Sequence, residues 1–381
     1  MSPLESAGII DGILGNSRWR DELLARFAPG TRMVSAMSGG VDSSVATALL
    51  TAAGYDVVGV SMRLGSSGAR AAGHSGCCSL DDFDDARRVA ALLDVPHYIV
   101  DLRDVFDAKV MTPFVDTYLA GRTPNPCTLC NRDVKFDAFW DYARTAGAEA
   151  VATGHYCRIL PGEEGLELHA GEDPLKDQSY FLFTLQGEEL DRTLFPVGSL
   201  DKDDVRRIAD GLALPVANKP ESQDICFVSG RSYAEVVEER AAQDQLRPGA
   251  IVNEAGEAVG THDGIHRFTI GQRKGLPGGA SEKQYVTAID PESGEVRLGS
   301  GDALLRGQLF VDGVRWTGSA HAGAAEVRLR HRHEPEPCRL IPEATGVRVE
   351  LDQPVRGITP GQAAVWYQGS RVLGGGWIAS S

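Results

Sequence analysis

Short apolar runs alternate with amphipathic stretches through the first half of the chain. Met33–Met37 is an apolar run that breaks at Ser38-Gly39-Gly40. A helical pattern follows from Ser44 to Ala53, then a second apolar run at Val57–Met62. The theme repeats with a helix at Phe83–Leu93 and a strand at His97–Val100, and Val151–Thr153 reads as a further short strand. Strands alternating with helices of this length predict a parallel sheet covered on both faces. Residues 1–30 read as a short helical extension around Trp19–Phe27, closed by Pro29-Gly30. Gly65–Ser79, rich in Gly, Ser and Ala, reads as a mobile loop, and Phe181–Gln186 is another short apolar run.

The α/β pattern ends near Asn218. From Arg247 onward the texture changes to short alternating segments with Gly and Asp turns, such as Ala250–Val252 and Phe268–Ile270. Glu295–Leu298, Glu326–Arg330, Val347–Leu351 and Ala363–Tyr367 predict antiparallel strands. The expected division is an extension over 1–30, an α/β domain over 31–228, a small central domain over 229–284 and a β-barrel over 285–381.

Composition adds limits. The chain has 381 residues, 42% hydrophobic and 24% charged, which exceeds one ordinary core and carries no disorder signature. No apolar run approaches the roughly 20 residues a membrane span needs. Glu5, Asp11, Arg18, Asp21 and Glu22 interrupt any secretion-signal pattern, so a cytoplasmic protein with no membrane partner is expected. Seven cysteines, an odd number, do not form a disulfide framework in a chain this long. The net charge of −15 argues against a general nucleic-acid coat while leaving room for a local basic groove.

The strongest local signal is Ser38-Gly39-Gly40-Val41-Asp42-Ser43-Ser44, between an apolar strand and a helix. Adjacent glycines let backbone N–H groups approach an anion, and the following helix adds its positive N-terminal dipole. Ser38, Ser43 and Ser44 supply hydroxyls, and Asp42 can cap the helix or hold magnesium. The loop lacks both the Gly-Lys-Ser/Thr ending of a Walker A motif and the Gly-x-Gly-x-x-Gly fingerprint. It resembles instead the pyrophosphate-binding loop of ATP pyrophosphatases, which split ATP between the α and β phosphates.

What attacks the activated carbon must come from elsewhere. Thr123-Pro124-Asn125-Pro126-Cys127-Thr128-Leu129-Cys130-Asn131 joins a proline-stiffened loop to a predicted helix through Val134 and Phe136. A thiolate near a helix N-terminus is a better nucleophile at neutral pH. Glu221-Ser222-Gln223-Asp224-Ile225-Cys226-Phe227 offers a second cysteine in a polar, turn-like setting.

With Ala152–Tyr156, Lys176–Leu182 and Thr269–Leu276, these segments resemble the bacterial and mitochondrial tRNA-specific 2-thiouridylases, from about residue 31 to about residue 368. The resemblance implies a parallel-sheet ATP-pyrophosphatase domain, a small middle domain and a C-terminal antiparallel β-barrel. It implies ATP-dependent 2-thiolation of the wobble uridine in the tRNAs for Lys, Glu and Gln, with magnesium, a persulfide sulfur donor and tRNA as partners. Carried over, Cys130 becomes the nucleophile and Cys226 the persulfide bearer, with a disulfide between them after turnover. Ala36, Met37, Ser38, Gly39, Gly40, Val41, Asp42 and Ser43 would hold ATP, with Met62 and Gly154 lining the adenosine pocket. Asn125, Pro126 and Cys127 would face the target base, and His155, Lys176, Asp177 and Gln178 would contact tRNA. Arg330, His331 and Gln362 match further tRNA positions, although His331 departs from the aromatic residue often found there.

Cys127 departs from the Asp often found in the family. It reads as a spare thiol, a redox partner of Cys130, or a ligand with Cys130 and Cys226 for an iron–sulfur cluster. The spare thiol is favoured, because a cluster or zinc site wants a more complete set of close ligands. No dedicated metal site is expected. Cys77 and Cys78 adjoin Asp81, Asp82, Asp84 and Asp85, whose charge suits the first turn of a helix better than a mixed thiolate–carboxylate site. Cys157 and Cys338 read as packing residues, as do Trp316, Trp366, Tyr367 and Trp377. The cluster Arg328, Arg330, His331, Arg332, His333 is basic within an acidic protein and reads as RNA contact, with Arg267, Arg273 and Lys274 a weaker case. The rival readings are a different ATP pyrophosphatase, such as an amide-forming synthetase or another tRNA thiolase, and a non-catalytic RNA-binding protein.

Overall fold

The computed structural model describes residues 2–65, 80–221, 225–228, 230–277 and 283–380. Two compact units emerge. The first comprises Met1–Asp107, Cys130–Gly230 and Ser370–Val372; the second comprises Ala108–Leu129, Arg231–Gly369 and Leu373–Ser381.

The first unit opens with two helices where one was expected, α1 (Pro3–Leu14) and α2 (Arg18–Leu24). Ser2 caps α1, its hydroxyl accepting from the Glu5 N–H while the Glu5 carboxylate accepts from the Ser2 N–H. α1 was hidden in the sequence because Gly8, Asp11 and Gly12 interrupt its apolar stripe. It nevertheless buries Ala7 and Ile10 in the same core as Trp19 and Leu23 of α2.

The α/β pattern follows as β1 (Arg32–Ala36), α3 (Val41–Ala52), β2 (Asp56–Arg63), α4 (Leu80–Leu92), β3 (His97–Asp101) and the single turn α5 (Arg103–Phe106). Helices α6 (Thr112–Leu119) and α7 (Pro126–Leu129) belong to the second unit. The chain returns with a π-helical stretch over Cys130–Ala138 and continues as α8 (Phe139–Thr145), β4 (Ala150–Ala152), the hairpin β5 (Cys157–Gly162) and β6 (Gly165–Ala170), α9 (Glu188–Asp191), β7 (Thr193–Leu194) and α10 (Lys202–Gly211). Five strands form a parallel sheet in the order β3-β2-β1-β4-β7. Its centre is β1, where Met33 is fully buried in one core with Val45, Leu49 and Leu50 of α3, and Val34, on the opposite face, is fully buried too. Burial on both faces explains why this strand reads as a continuous apolar run. The crevice beyond the carboxyl ends of such strands is where ligands bind in open α/β sheets.

The second unit holds α11 (Tyr233–Arg240), a four-stranded sheet and a barrel. The sheet runs β10-β11-β8-β9, from β8 (Gly249–Val252), β9 (Ala258–His262), β10 (Tyr285–Ile289) and β11 (Val296–Gly299). The expected boundary near residue 284 therefore falls inside one sheet, between β9 and β10. Of the two alternating segments noted in this region, Ala250–Val252 lies in β8, whereas Phe268–Ile270 leads into a turn in which Phe268 N–H bonds Ile265 O and Gly271 adopts φ +85°. Six strands complete the unit: β12 (Leu305–Trp316), β13 (Gly323–Arg328), β14 (Glu336–Glu343), β15 (Gly346–Arg356), β16 (Ala363–Gln368) and β17 (Arg371–Ser380). Their order β12-β15-β14-β13-β16-β17 closes through a β12–β17 pairing, which leaves the antiparallel barrel no free edge. Trp366 is fully buried at its centre, with Trp316 packed 5.2 Å away.

Candidate active site

The phosphate loop sits where β1 ends and α3 begins. Gly39 adopts φ +75°, and a Cβ there would lie 2.3 Å from the Asp82 carbonyl oxygen, so only glycine fits. Gly40 is the N-cap of α3 and no side chain caps the helix, which leaves its first N–H groups for an anion. The serines hold the loop's shape: Ser43 Oγ accepts from the Ser38 N–H at 3.2 Å, and Ser44 Oγ donates to Gly40 O at 2.8 Å. Gly154 comes so close that a Cβ would lie 2.5 Å from Ser43 N. Met62 lies on β2, two residues beyond Val60, the partner of Ala36.

Asp42 does not cap the helix. Its Oδ1 accepts from Tyr156 Oη at 2.8 Å and from Lys202 Nζ at 2.6 Å. Lys202 is nine-tenths buried and also meets Glu221 at 2.8 Å, while Lys176 meets Glu221 at 2.7 Å. Burial raises the Glu221 carboxyl pKa, but hydrogen bonds from Lys176 and Lys202 outweigh it and hold the value at about 2. Burial, reinforced by the Asp42 charge, pushes the Tyr156 phenol far above its ordinary value, so it remains a donor. A second lysine reaches the loop from the far side. Lys219 Nζ donates to Gly39 O at 2.9 Å and to Asp82 and Asp85 at 2.7 Å, which explains part of the acidic first turn of α4.

His155 is held from both sides. Lys135 Nζ lies 3.4 Å from Nε2 and, having no acceptor to offer, makes that nitrogen the acceptor; Nδ1–H then donates to Thr153 Oγ1 at 2.7 Å. Burial pushes the imidazole well below its ordinary pKa, and the Lys135 charge adds to this. Asp177 is buried and accepts from Gly171 N–H, Ser179 N–H and Ser179 Oγ. Gln178 Oε1 accepts from the Tyr156 N–H at 3.0 Å. All four residues expected at the tRNA, His155, Lys176, Asp177 and Gln178, thus have polar atoms engaged within the unit.

Cys130 is buried and opens the π-helical stretch, one turn after α7 begins, rather than standing at a helix N-terminus. Asn131, next to it, donates to Phe181 O at 3.1 Å. Cys226 is half-buried in a turn closed by Val228 N–H to Ile225 O. The adjacent Phe227 ring packs edge-on to Phe106 at 5.9 Å, and α5, which carries Phe106, packs on the π-helical stretch. That chain of contacts links the turn holding Cys226 to the π-helical stretch that Cys130 opens.

Three family models cover the chain: the tRNA methyl transferase HUP domain at residues 31–230, the tRNA methyl transferase PRC-barrel domain at 235–300 and the aminomethyltransferase beta-barrel domain at 306–378. A tRNA-specific 2-thiouridylase MnmA from Sorangium cellulosum is 47% identical over 363 residues, covering 93% of this chain and 94% of that protein. A second, from Geotalea uraniireducens, is 46% identical over 356 residues, covering 91% of this chain and 94% of that protein. The chain belongs to the tRNA-specific 2-thiouridylase family. Among solved structures, a 4-thiouridine synthetase–RNA complex with bound ATP matches with TM-score 0.34 at 17% identity, over 55% of this chain and 49% of that one, a likeness too slight to bear on activity.

Within this 2-thiouridylase-family chain, the first unit gathers Ala36–Ser43, Met62, Gly154, His155, Lys176, Asp177, Gln178, Cys130 and Cys226. The second unit holds Asn125, Pro126, Cys127, Arg330, His331 and Gln362. Asn125 is buried, its Oδ1 near Thr128 N–H at 3.4 Å and its Nδ2 without a partner. Arg330 and Arg332 are exposed at the β13–β14 turn, and Arg328 lies over the Tyr367 ring at 4.9 Å. Cys157 and Cys338 are buried, and burial drives both thiols upward, Cys338 to about 12. Among the described residues no three His, Cys, Asp or Glu converge as metal ligands. Cys77 and Cys78, with most of the expected loop at Gly65–Ser79, lie outside the described residues. Lys202 and Lys219 were missed in the sequence. The signal that could have found them is the missing Walker lysine, since the positive charge beside the loop has to come from elsewhere.

Proposed function

We propose that this protein uses ATP to replace the C2 oxygen of the wobble uridine with sulfur in the tRNAs for Lys, Glu and Gln. The family membership over more than nine-tenths of the chain carries this reading, and the phosphate loop and the two cysteine segments support it.

The uridine C2 oxygen attacks the α-phosphorus of ATP, pyrophosphate leaves, and C2 becomes bonded to a good leaving group, AMP. The uncapped N–H groups of α3 and the Ser38 and Ser43 hydroxyls receive the phosphates, with Lys202 and Lys219 beside the loop. Magnesium arriving with ATP would neutralise charge on the departing pyrophosphate, and Asp42 fits it, because both its hydrogen bonds fall on Oδ1. An external donor, a cysteine desulfurase or a relay protein, loads Cys226 as a persulfide. Its terminal sulfur then reaches C2 directly, or as hydrosulfide released when the Cys130 thiolate attacks the Cys226 sulfur. AMP departs, a Cys130–Cys226 disulfide remains, and an external thiol reduces it. Cys127 is a spare thiol in this scheme. Arg330, His331 and Lys176 meet the tRNA. An anticodon loop makes the base accessible, because its bases are already single-stranded. The substrate implies a cytoplasmic enzyme, and among the described residues no helix is long and apolar enough to cross a membrane.

The test is mass spectrometry of nucleosides from tRNA incubated with enzyme, ATP, magnesium and a persulfide donor. Cys226→Ser should still release pyrophosphate yet form no 2-thiouridine. Cys130→Ser should load a persulfide on Cys226 without transferring it, and Cys127→Ser should retain most activity. Full thiolation by Cys226→Ser would sink the assignment, and ADP as product would refute α–β cleavage.

A further inference from the structure

Inside the first unit, the phosphate loop and the Lys176–Leu182 motif are joined through shared polar partners. Glu221 is the shared point on one side. Its Oε2 accepts from Lys176 Nζ at 2.7 Å and its Oε1 from Lys202 Nζ at 2.8 Å. Lys202 Nζ also donates to Asp42 Oδ1 at 2.6 Å. A second route reaches the same oxygen: the Tyr156 N–H donates to Gln178 Oε1 at 3.0 Å, and the Tyr156 hydroxyl donates to Asp42 Oδ1 at 2.8 Å. Both routes begin at residues that the resemblance assigns to tRNA and end on the carboxylate that suits magnesium.

The two lysines on Glu221 are placed with unequal firmness. Lys202 is nine-tenths buried with a carboxylate on either side, whereas almost a third of the Lys176 side chain is exposed. A pair that reaches solvent is weak, so an incoming phosphate can take Lys176 from Glu221 at small cost. Arg206 stands 3.6 Å from Glu221 Oε1, beyond hydrogen-bond length, and is a poor substitute. Burial raises the Glu221 carboxyl pKa, yet the two lysines hold it at about 2, so Glu221 stays charged at neutral pH. A buried ammonium between two carboxylates divides itself between them, and its place shifts when one of them loses another cation.

We propose that Glu221 couples the two substrates: a tRNA phosphate that draws Lys176 away leaves Glu221 to pull Lys202 from Asp42, which opens Asp42 Oδ1 to the magnesium that accompanies ATP. The inference rests on the reading that Lys176 meets tRNA and that the phosphate loop binds ATP. The element with two places is the Lys202 ammonium, and both substrates bias which carboxylate holds it. tRNA therefore tightens magnesium–ATP, and by linkage magnesium–ATP tightens tRNA by the same factor. An enzyme built this way holds magnesium–ATP weakly until an acceptor is seated, which limits pyrophosphate release in the absence of tRNA.

The experiment is calorimetric titration of the full chain with magnesium and α,β-methylene ATP, which cannot be split between the α and β phosphates, with and without saturating tRNA for Lys. In the unaltered protein, tRNA should lower the nucleotide Kd at least about fivefold. The two variants should lose that response in opposite directions. Lys176→Met frees Glu221 permanently and should bind the nucleotide tightly with or without tRNA. Glu221→Gln leaves Lys202 on Asp42 and should bind it weakly with or without tRNA. Lys176→Met keeps Lys202, Asp42 and Glu221 in place, so it carries the test even where loss of the Glu221 charge unsettles the fold. An unaltered protein indifferent to tRNA, or a tRNA response in Lys176→Met equal to that of the unaltered protein, overturns the proposal. The readings beneath it are checked apart from it. An unchanged tRNA Kd and salt slope for Lys176→Met without nucleotide would defeat the tRNA contact, and no nucleotide binding in any state would defeat the ATP site.

Discussion

The phosphate loop and the cysteine loop are held in opposite ways. Residues 38–44 shape themselves largely by contacts among their own glycines and serines, and distant lysines then add charge. Residues 122–124 are fastened from outside instead; two carbonyls and an arginine are held by residues more than 230 positions away. Local contacts tolerate change elsewhere in the chain, whereas a loop fixed through backbone acceptors depends on the remote Gln362 amide.

Substitutions can break this contrast, and the largest effect belongs to Gly39→Ala. A methyl group 2.3 Å from a backbone oxygen, at φ +75°, cannot be absorbed locally. Stability should fall by at least about 1 kcal/mol in thermal unfolding, and ATP binding should be lost. Next is Lys202→Met, which leaves Asp42 and Glu221 facing each other without their shared cation. We expect a loss of about 1–2 kcal/mol, less than for a fully buried pair because both carboxylates reach solvent. Pyrophosphate release should slow together with stability, and Lys202→Arg should recover part of both.

A smaller effect concerns pH. The His155 pKa is depressed on folding, so its contribution is present above the unfolded value near 6.5 and is lost as pH falls below it. The thermal midpoint should drop between pH 7 and pH 5 by more in the unaltered protein than in His155→Gln. Equal slopes would show that another group governs that range. Smallest of all, Arg330→Ala should leave stability unchanged, weaken tRNA binding evenly across sequences and reduce its salt slope by roughly 1. An unchanged slope would move the phosphate contacts elsewhere.

The same contrast governs what could be read in advance. Strand β1, the loop and helix α3 were legible because seven contiguous residues carry both the turn chemistry and the apolar flanks. The two cysteine motifs were legible as strings, but not Cys130's seat one turn inside a helix, since wide π-helical turns have no signature in spacing. Lys202 and Lys219 were invisible because a solitary lysine forms no pattern until the fold supplies its carboxylates. The hold of Gln362 on Thr123 and Pro124 could not be read either, because its acceptors are backbone carbonyls, which every residue possesses. Helix α1 was overlooked for a plainer reason: its glycines and Asp11 blur the stripe that tertiary packing against α10 completes.

That packing has a bearing on how the protein is made. Ile9 and Ile13 of α1 meet the face of α10 at Gly211, where a Cβ would lie 2.5 Å from Ile13 Cδ1, and Arg207 donates to Ile13 O across 194 residues. At usual synthesis rates α10 leaves the ribosome on the order of 10–40 s after α1. For that interval α1 has no α10 to cover Ile9 and Ile13, so the nascent chain carries exposed apolar surface on that helix. Completion of the first unit is thereby timed by the emergence of residues near 211, and a helix made well before α10 waits for it to be covered.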